Sequence, residues 1–143
     1  MKTILGFAIP FAVLATIACS DSTAPGPITG SYRLSKYNGL TVPVGLSAGG
    51  CTQYVNAGTF TLGADDSWVA LLTVQTVCPT DTTAAPAVTI SYHGTYQQVA
   101  AGLRIWISNS PPEELALAAT DGSHLSLDFR PYYGALTEYE RAP

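Results

Sequence analysis

Three cysteines are the residues of this sequence whose chemistry is most constrained. Cys19 ends an apolar N-terminal run, whereas Cys51 and Cys78 lie inside the remaining chain and flank a predicted pair of strands. A disulfide between Cys51 and Cys78 would stabilise a small domain by about 3 to 4 kcal/mol through loop closure. A reactive or metal-binding thiol pair is the alternative, but the two residues lack C-x-x-C spacing and have no histidine nearby. The pattern therefore predicts a structural disulfide.

The other groups that could do chemistry are scattered along the chain. His93 and His124 both fall on the polar faces of predicted strands, and a zinc site would need Asp128 beside them. No G-x-S-x-G motif selects a nucleophilic serine. Glu113 and Glu114 are adjacent, so on a strand they point to opposite faces and cannot flank one glycosidic bond. We therefore predict no catalytic residue, no metal site, no cofactor and no enzymatic activity.

Four aromatic residues are the candidates for contacting a ligand, namely Tyr32, Phe60, Tyr92 and Tyr96. Each occupies the apolar face of a predicted strand and is expected to point inward. An ordinary filled core is the alternative interpretation. A cavity of about 300 Å³ or more, lined by these rings, would favour a small-molecule site, whereas a filled interior would favour a module that acts through its surface.

Two further aromatic positions are candidates for a recognition surface. Trp106 alternates with apolar neighbours, so we expect it to point outward beside Arg104. Tyr132-Tyr133 follows a proline and has no assigned face.

The composition limits the classes of function. The chain has 143 residues, 47% hydrophobic and only 11% charged, well below the roughly 25% charged residues of an average globular protein. After removal of the leader with Lys2, five basic residues remain against ten acidic ones, so the net charge is −5. This balance argues against a nucleic-acid partner.

The first eighteen residues have the organisation of an export signal. Lys2 precedes an apolar run from Ile4 to Ile17, which contains Pro10 and ends at the small residue Ala18. A transmembrane anchor is the alternative, but it would need roughly 20 apolar residues. We therefore predict a signal peptide over residues 1–18.

The segment from Leu14 to Cys19 resembles the lipobox of bacterial lipoproteins. Ala18 and Cys19 match that motif, whereas Thr16 stands where leucine is usual. The resemblance implies a lipid on Cys19 that anchors the protein in a membrane; cleavage by an ordinary signal peptidase, giving a secreted product, is the alternative. Residues 19–29 read as a flexible tether. Because Ser20, not aspartate, follows the cysteine, the resemblance favours the periplasmic face of the outer membrane within the cell envelope.

From residue 30 to residue 143 the sequence predicts one domain of short strands. Apolar residues recur with period two, and turn residues such as Asn38-Gly39 and Asp121-Gly122 interrupt them. The predicted strands are Ser31–Tyr37, Leu40–Leu46, Gly58–Leu62, Trp68–Val77, Val88–Gln97, Leu103–Ser108, Glu113–Thr120, Ser123–Phe129 and Gly134–Arg141. This spacing predicts an all-β fold, an antiparallel up-and-down meander of about eight or nine strands, with a β-sandwich as the alternative to a barrel.

Short motifs along the meander resemble those of small bacterial lipocalin-like lipoproteins. They are G-x-Y-x-L at Gly30–Leu34, N-G-x-x-x-P at Asn38–Pro43, G-x-x-x-L at Gly58–Leu62 and G-x-Y at Gly94–Tyr96. The resemblance implies a lipocalin-like β-barrel around an apolar pocket, and it implies no reaction. We expect an exported, lipid-anchored envelope protein that binds a small apolar or amphipathic ligand. The alternative is a structural or interaction module of the envelope with a filled core.

Overall fold

The structure, a computed structural model, describes residues 27–80, 83, 85–100, 102–108, 113–129 and 134–143. The predicted signal peptide, Cys19, the tether as far as Gly26 and the Tyr132-Tyr133 pair lie outside these residues. All regular elements of the described part are β-strands, and it contains no helix that could span a membrane.

The described chain forms ten strands. They are β1 (Gly30–Tyr37), β2 (Leu40–Thr41), β3 (Val44–Ala48), β4 (Cys51–Leu62), β5 (Ser67–Val77), β6 (Val88–Val99), β7 (Gly102–Ile107), β8 (Glu113–Thr120), β9 (His124–Asp128) and β10 (Leu136–Arg141).

Two predicted strands differ from the structure by more than a shift of one or two residues at an end. The predicted strand Leu40–Leu46 is divided into β2 and β3 around Pro43, which has no backbone N–H for a ladder. The strand predicted to begin at Gly58 begins at Cys51, because a bulge between Val55 and Ala57 disturbs the alternation of the residues before it.

The strands close into an antiparallel barrel. Each of the strands from β4 to β10 pairs with the next one along the chain, and β10 pairs with β1. β1 then pairs with β4, from Gly30 opposite Leu62 to Arg33 opposite Thr59, and this pairing closes a ring of eight strands. β2 and β3 extend the sheet beyond the ring. The predicted all-β meander is confirmed, and it forms a barrel compatible with a lipocalin-like fold, not a sandwich.

Two predicted hairpin turns form, with different geometries. Asn38 and Gly39 both have positive φ values, 51° and 77°, as a two-residue turn of this kind requires. The turn after β8 is wider, since Thr120 pairs with Leu125. Its geometry depends on the Asp121 carboxylate, which accepts hydrogen bonds from the backbone N–H groups of Ser123 and His124.

One end of the barrel is filled, and we call it the closed end. It is the end where β1 starts and where β4 and β10 finish. Ile28 is buried there, although the sequence analysis had placed it in the tether, and its carbonyl accepts a hydrogen bond of 2.6 Å from the Tyr32 hydroxyl. The Arg141 guanidinium donates to the backbone carbonyls of Pro27, Thr29 and Gly122. These bonds join both chain termini of the domain across the closed end.

The opposite end is the open end, where β6 starts and β7 finishes. β7 pairs with β6 only from Gly94 onward, so among the described strands β5 alone pairs with Val88–Tyr92. Val88, Ile90 and Tyr92 share the inner face with the buried Tyr96, yet they are 54%, 36% and 39% exposed. The face predicted to be inward is therefore buried only along its second half.

Candidate functional site

An apolar pocket of about 130 Å³ lies inside the open end of the barrel. It is lined by Tyr37, Trp68, Ala70, Leu71, Leu72, Tyr92, Ile107, Phe129, Ala135, Thr137 and Tyr139. These residues come from β1, β5, β6, β7 and β10 and from the segments that flank β9 and β10. The pocket is therefore a product of the closed barrel and of no single element.

Strand alternation explains the wall formed by β5 and β6. Trp68, Ala70 and Leu72 follow one another at every second position of β5, and Ala70 lies opposite Tyr92 of β6. The small side chain of Ala70 leaves space beside the Tyr92 ring. Trp68 lies opposite Gly94, where an added Cβ would meet the Trp106 carbonyl oxygen at 1.9 Å and the Trp68 indole nitrogen at 2.8 Å. A glycine at position 94 is thus required for the Trp68 ring to form the floor of the pocket, which is the boundary between the pocket and the filled core.

A bulge places Tyr37 in the pocket. Strict alternation from Tyr32 and Leu34 would put Lys36 inside the barrel and Tyr37 outside. The register of β1 against β10 shifts between Leu34 and Lys36, which reverses the faces. Lys36 therefore lies outside, in an ion pair of 2.8 Å with Glu138, and Tyr37 lies half-buried in the pocket.

The lining is apolar except for hydroxyl groups. Among the described residues that line it, none carries a carboxylate, amine, guanidinium or imidazole. The Trp68 indole N–H donates to the carbonyls of Thr95 and Trp106, so Trp68 offers the pocket only ring carbons. The remaining polar atoms are the hydroxyls of Tyr37, Tyr92, Thr137 and Tyr139. Such a surface can hold a neutral ring or alkyl group and can exchange hydrogen bonds with one polar atom on it.

Burial raises the pKa of two tyrosines of the lining, Tyr37 and Tyr139. Burial raises the pKa of Tyr139 to about 12. The pKa of Tyr37 is also raised, first by burial and then by the nearby phenol of Tyr92. Both hydroxyls are therefore neutral at physiological pH.

The four aromatic residues predicted as ligand contacts do not form one site. Tyr92 lines the pocket, but Tyr32, Phe60 and Tyr96 are not among the lining residues. The Phe60 ring stacks on Trp68 at 5.2 Å between centroids, and the Tyr96 hydroxyl donates to the Gly63 carbonyl. These three rings fill the core toward the closed end.

Sequence reasoning missed most of the lining residues. Thr137 and Tyr139 alternate with Glu138 and Glu140, and that pattern could have identified them. Tyr37 carried no such signal, because its inward position depends on the bulge in β1.

Cys51 and Cys78 form the predicted disulfide, with an S–S distance of 1.96 Å. The bond connects the first residue of β4 to the residue after β5 at the open end. Structural disulfides are typical of oxidising, extracytoplasmic compartments, so the pair is weak support for such a location.

The remaining candidates lie apart from the pocket. His93 is exposed on β6, and His124 contacts the Asp121 carboxylate at 3.2 Å. No three His, Cys, Asp or Glu side chains within the described ranges are placed to hold a metal ion. Trp106, expected to be exposed, is half-buried with the Arg104 guanidinium over its ring at 5.8 Å.

A second groove, on the outer surface, crosses β1, β10 and β9. Its volume is about 300 Å³, and Ser35, Lys36, Glu138 and His124 are among the residues that line it. The Lys36–Glu138 ion pair lies within it, so the groove presents paired charges and not an apolar surface.

No protein-family model matches the chain, and no curated protein or solved structure is significantly similar to it. The lipocalin-like description therefore concerns the architecture of the barrel, which its strand pairing establishes.

Proposed function

We propose that this protein is exported, anchored in the cell envelope by a lipid on Cys19, and binds the apolar part of a small apolar or amphipathic ligand at the open end of its barrel. The observation that carries the proposal is the pocket whose described lining consists of apolar side chains and hydroxyls, without a charged side chain. No enzymatic step is part of the proposed function.

The size of the pocket limits the part of the ligand that enters it. Its volume of about 130 Å³ is close to that of an engineered cavity of roughly 150 Å³ that accepts benzene. It is well below the cavity of about 300 Å³ expected to favour a small-molecule site over a module that acts through its surface. One ring or one short branched alkyl group would therefore enter the pocket, and the rest of the ligand would remain outside.

The exposed inner face of β6 offers a surface for that remainder. Val88 and Ile90 continue the row that Tyr92 begins at the pocket, and both are exposed. Since the described part of the chain pairs Val88–Tyr92 on one side only, a ligand has a route between β6 and the end of β7. A ligand that covers these side chains of β6 buries their apolar surface. This favours an amphipathic molecule over a fully polar one.

The N-terminal connection supports an orientation in which the pocket faces away from the proposed anchor. Pro27 enters the barrel at the closed end, where its carbonyl accepts a hydrogen bond from Arg141. The eight residues from Cys19 to Gly26 span at most about 28 Å. A lipid on Cys19 would then hold the closed end toward the membrane and would leave the open end accessible from the aqueous side.

Ligand binding is tested on the full chain with N-phenyl-1-naphthylamine, a neutral probe that fluoresces in apolar sites. We expect binding by the unchanged protein and at least tenfold weaker binding by Ala70→Phe, which fills the pocket. Ala57→Phe is the matched control, because Ala57 is exposed on β4. Leu72→Ala, which enlarges the pocket, is expected to retain or strengthen binding. It tests the pocket independently of whether Ala70→Phe folds correctly. Equal probe affinity in Ala70→Phe and Ala57→Phe would rule out this pocket.

Anchoring is tested separately by intact mass spectrometry of the protein from its native membrane. We expect a chain that begins at Cys19 and carries acyl groups, and we expect Cys19→Ser to release the protein from the membrane fraction. A soluble product with an unmodified Cys19 would refute anchoring and would leave the binding proposal intact.

An interaction module with a filled core is the second candidate. It is favoured by the dense packing at the closed end, where Tyr32 and Phe60 are fully buried and Trp68 is 2% exposed. Failure of the unchanged protein to bind the probe would select this alternative.

A further inference from the structure

The tyrosine hydroxyls of the barrel fall into two groups. Tyr32 and Tyr96 donate to the backbone carbonyls of Ile28 and Gly63, at 2.6 and 2.7 Å. Tyr37 and Tyr92 make no hydrogen bond with their hydroxyls, as far as the described residues extend. Partly buried polar groups are normally paired with protein or water. The two hydroxyls in the pocket are therefore free to bond to a ligand.

Tyr37 and Tyr92 share one pocket. Both residues line the pocket, Tyr37 from β1 and Tyr92 from β6, although these strands are not neighbours in the barrel. The phenol of Tyr92 is close enough to contribute to the raised pKa of Tyr37. Two hydroxyl donors from different strands thus line one cavity, whose other polar side chains among the described residues are Thr137 and Tyr139.

The absence of charge in the lining bears on the ligand. A carboxylate or ammonium group that entered the pocket would lose its hydration without gaining an oppositely charged partner among the lining residues. A hydroxyl or carbonyl oxygen loses less, and the tyrosine hydroxyls can replace its bonds to water.

We propose that the pocket selects an uncharged ring that carries one hydroxyl or carbonyl oxygen, with Tyr37 and Tyr92 bonding that oxygen, and that it rejects the same ring when it carries a carboxylate. This inference rests on the proposed function and specifies the chemical class of its ligand. The ring occupies the space between Ala70, Leu72 and Ile107, and its oxygen lies toward the two tyrosines. Phenol is the simplest member of the class, toluene lacks the oxygen, and benzoate is charged.

The test measures the affinity of the full-length protein for phenol, toluene and benzoate at neutral pH by ligand-observed NMR. We expect phenol to bind roughly five- to tenfold more tightly than toluene, which is the range of one net hydrogen bond. Benzoate is expected to bind at least tenfold more weakly than phenol.

Phenylalanine variants identify the groups responsible. Tyr37→Phe and Tyr92→Phe keep the ring and remove the hydroxyl, so each is expected to weaken phenol binding and to leave toluene binding unchanged. Tyr54→Phe is the matched control, because Tyr54 is as exposed as Tyr92, at 39%, and is not among the lining residues. Its phenol affinity should equal that of the unchanged protein.

The outcomes separate this inference from the proposed function. Equal affinity for phenol and toluene, or unchanged phenol affinity in both pocket variants, would overturn the role of the hydroxyls while the pocket remained a ligand site. Equal affinity for benzoate and phenol would overturn the exclusion of charge. Binding of none of the three compounds, together with no binding of N-phenyl-1-naphthylamine, would refute the proposed function itself.

Discussion

The two ends of the barrel use the same kinds of residue for different purposes. At the closed end, Tyr32 is fully buried and its hydroxyl reaches a backbone carbonyl. At the open end, Tyr92 is 39% exposed and its hydroxyl makes no bond within the described chain. The difference arises because the N-terminal segment folds over the closed end and supplies the carbonyl of Ile28. A tyrosine in this barrel is thus a core residue where a backbone segment covers it and bonds its hydroxyl. It is a candidate ligand contact where the described chain does not cover it.

The same contrast runs along single strands. β6 begins with the exposed Val88 and Ile90 and continues to the buried Gly94 and Tyr96 on the same face. Burial starts where β7 begins to pair with it. Stability is therefore expected to reside at the closed end and binding at the open end, and four experiments test this division.

The largest effect on stability is expected at Trp68, which lies between the closed end and the pocket. Trp68→Ala removes a ring that stacks on Phe60 and is 2% exposed, so we expect a loss of about 3 to 5 kcal/mol in the free energy of unfolding. Ile90→Ala, in the exposed row of β6, is expected to cost less than about 1 kcal/mol. Urea denaturation measures both values. Equal losses would show that the open end is as tightly packed as the floor.

The next effect concerns the disulfide, which stabilises the open end covalently. Replacement of Cys51 and Cys78 by alanine opens a loop with a sequence separation of 27 residues and is expected to cost about 3 to 4 kcal/mol. Each single alanine variant should lose as much as the double variant, since either one breaks the bond. A loss below about 1 kcal/mol, measured by urea denaturation, would contradict the importance of this link.

Alkaline pH is expected to act through Tyr139, which is buried between the two ends. Its pKa is about 12 in the folded protein against 10.0 for the free side chain. Because the unfolded chain ionises more readily, the stability that the neutral phenol provides is intact below pH 10 and is lost as the pH rises toward 12. The loss amounts to about 2 to 3 kcal/mol. Unfolding of the unchanged protein and Tyr139→Phe over this pH range should differ by that amount, and parallel pH profiles would refute it.

The smallest effect compares two hydroxyls directly. Tyr32→Phe leaves the Ile28 carbonyl without its partner and is expected to cost about 1 to 2 kcal/mol of stability. Tyr37→Phe should change stability by less than about 0.5 kcal/mol, because its hydroxyl has no partner within the described residues. Thermal unfolding of both variants provides the measurement. A larger loss of stability in Tyr37→Phe would mean that this hydroxyl stabilises the fold and is not free to bind a ligand.

Much of the fold could be predicted because each strand has a local sequence pattern that identifies it. β8 has the predicted bounds, Glu113 to Thr120, and β5 begins one residue before the predicted Trp68. Asn38-Gly39 forms the expected turn because few other residue pairs adopt two positive φ values at low cost. Each of these features depends on residues that are close in sequence.

The candidate site was far less predictable. Of the four aromatic residues proposed as ligand contacts, only Tyr92 lines the pocket. Phe60 has the same alternating pattern but faces Trp68 and the core. Alternation assigns a residue to the inside of the barrel, yet it does not tell which inside positions are filled and which leave a cavity.

The sequence by itself determined the strands, most of their faces and the disulfide, because period-two alternation, turn residues and cysteine number are local or compositional properties. The tertiary structure alone decided the closure of β1 against β4, the reversal of Lys36 and Tyr37 at the bulge in β1, and the covering of the closed end by Pro27–Thr29. These features depend on hydrogen bonds between segments up to 114 residues apart. The pocket exists only where such long-range pairing brings the strands together.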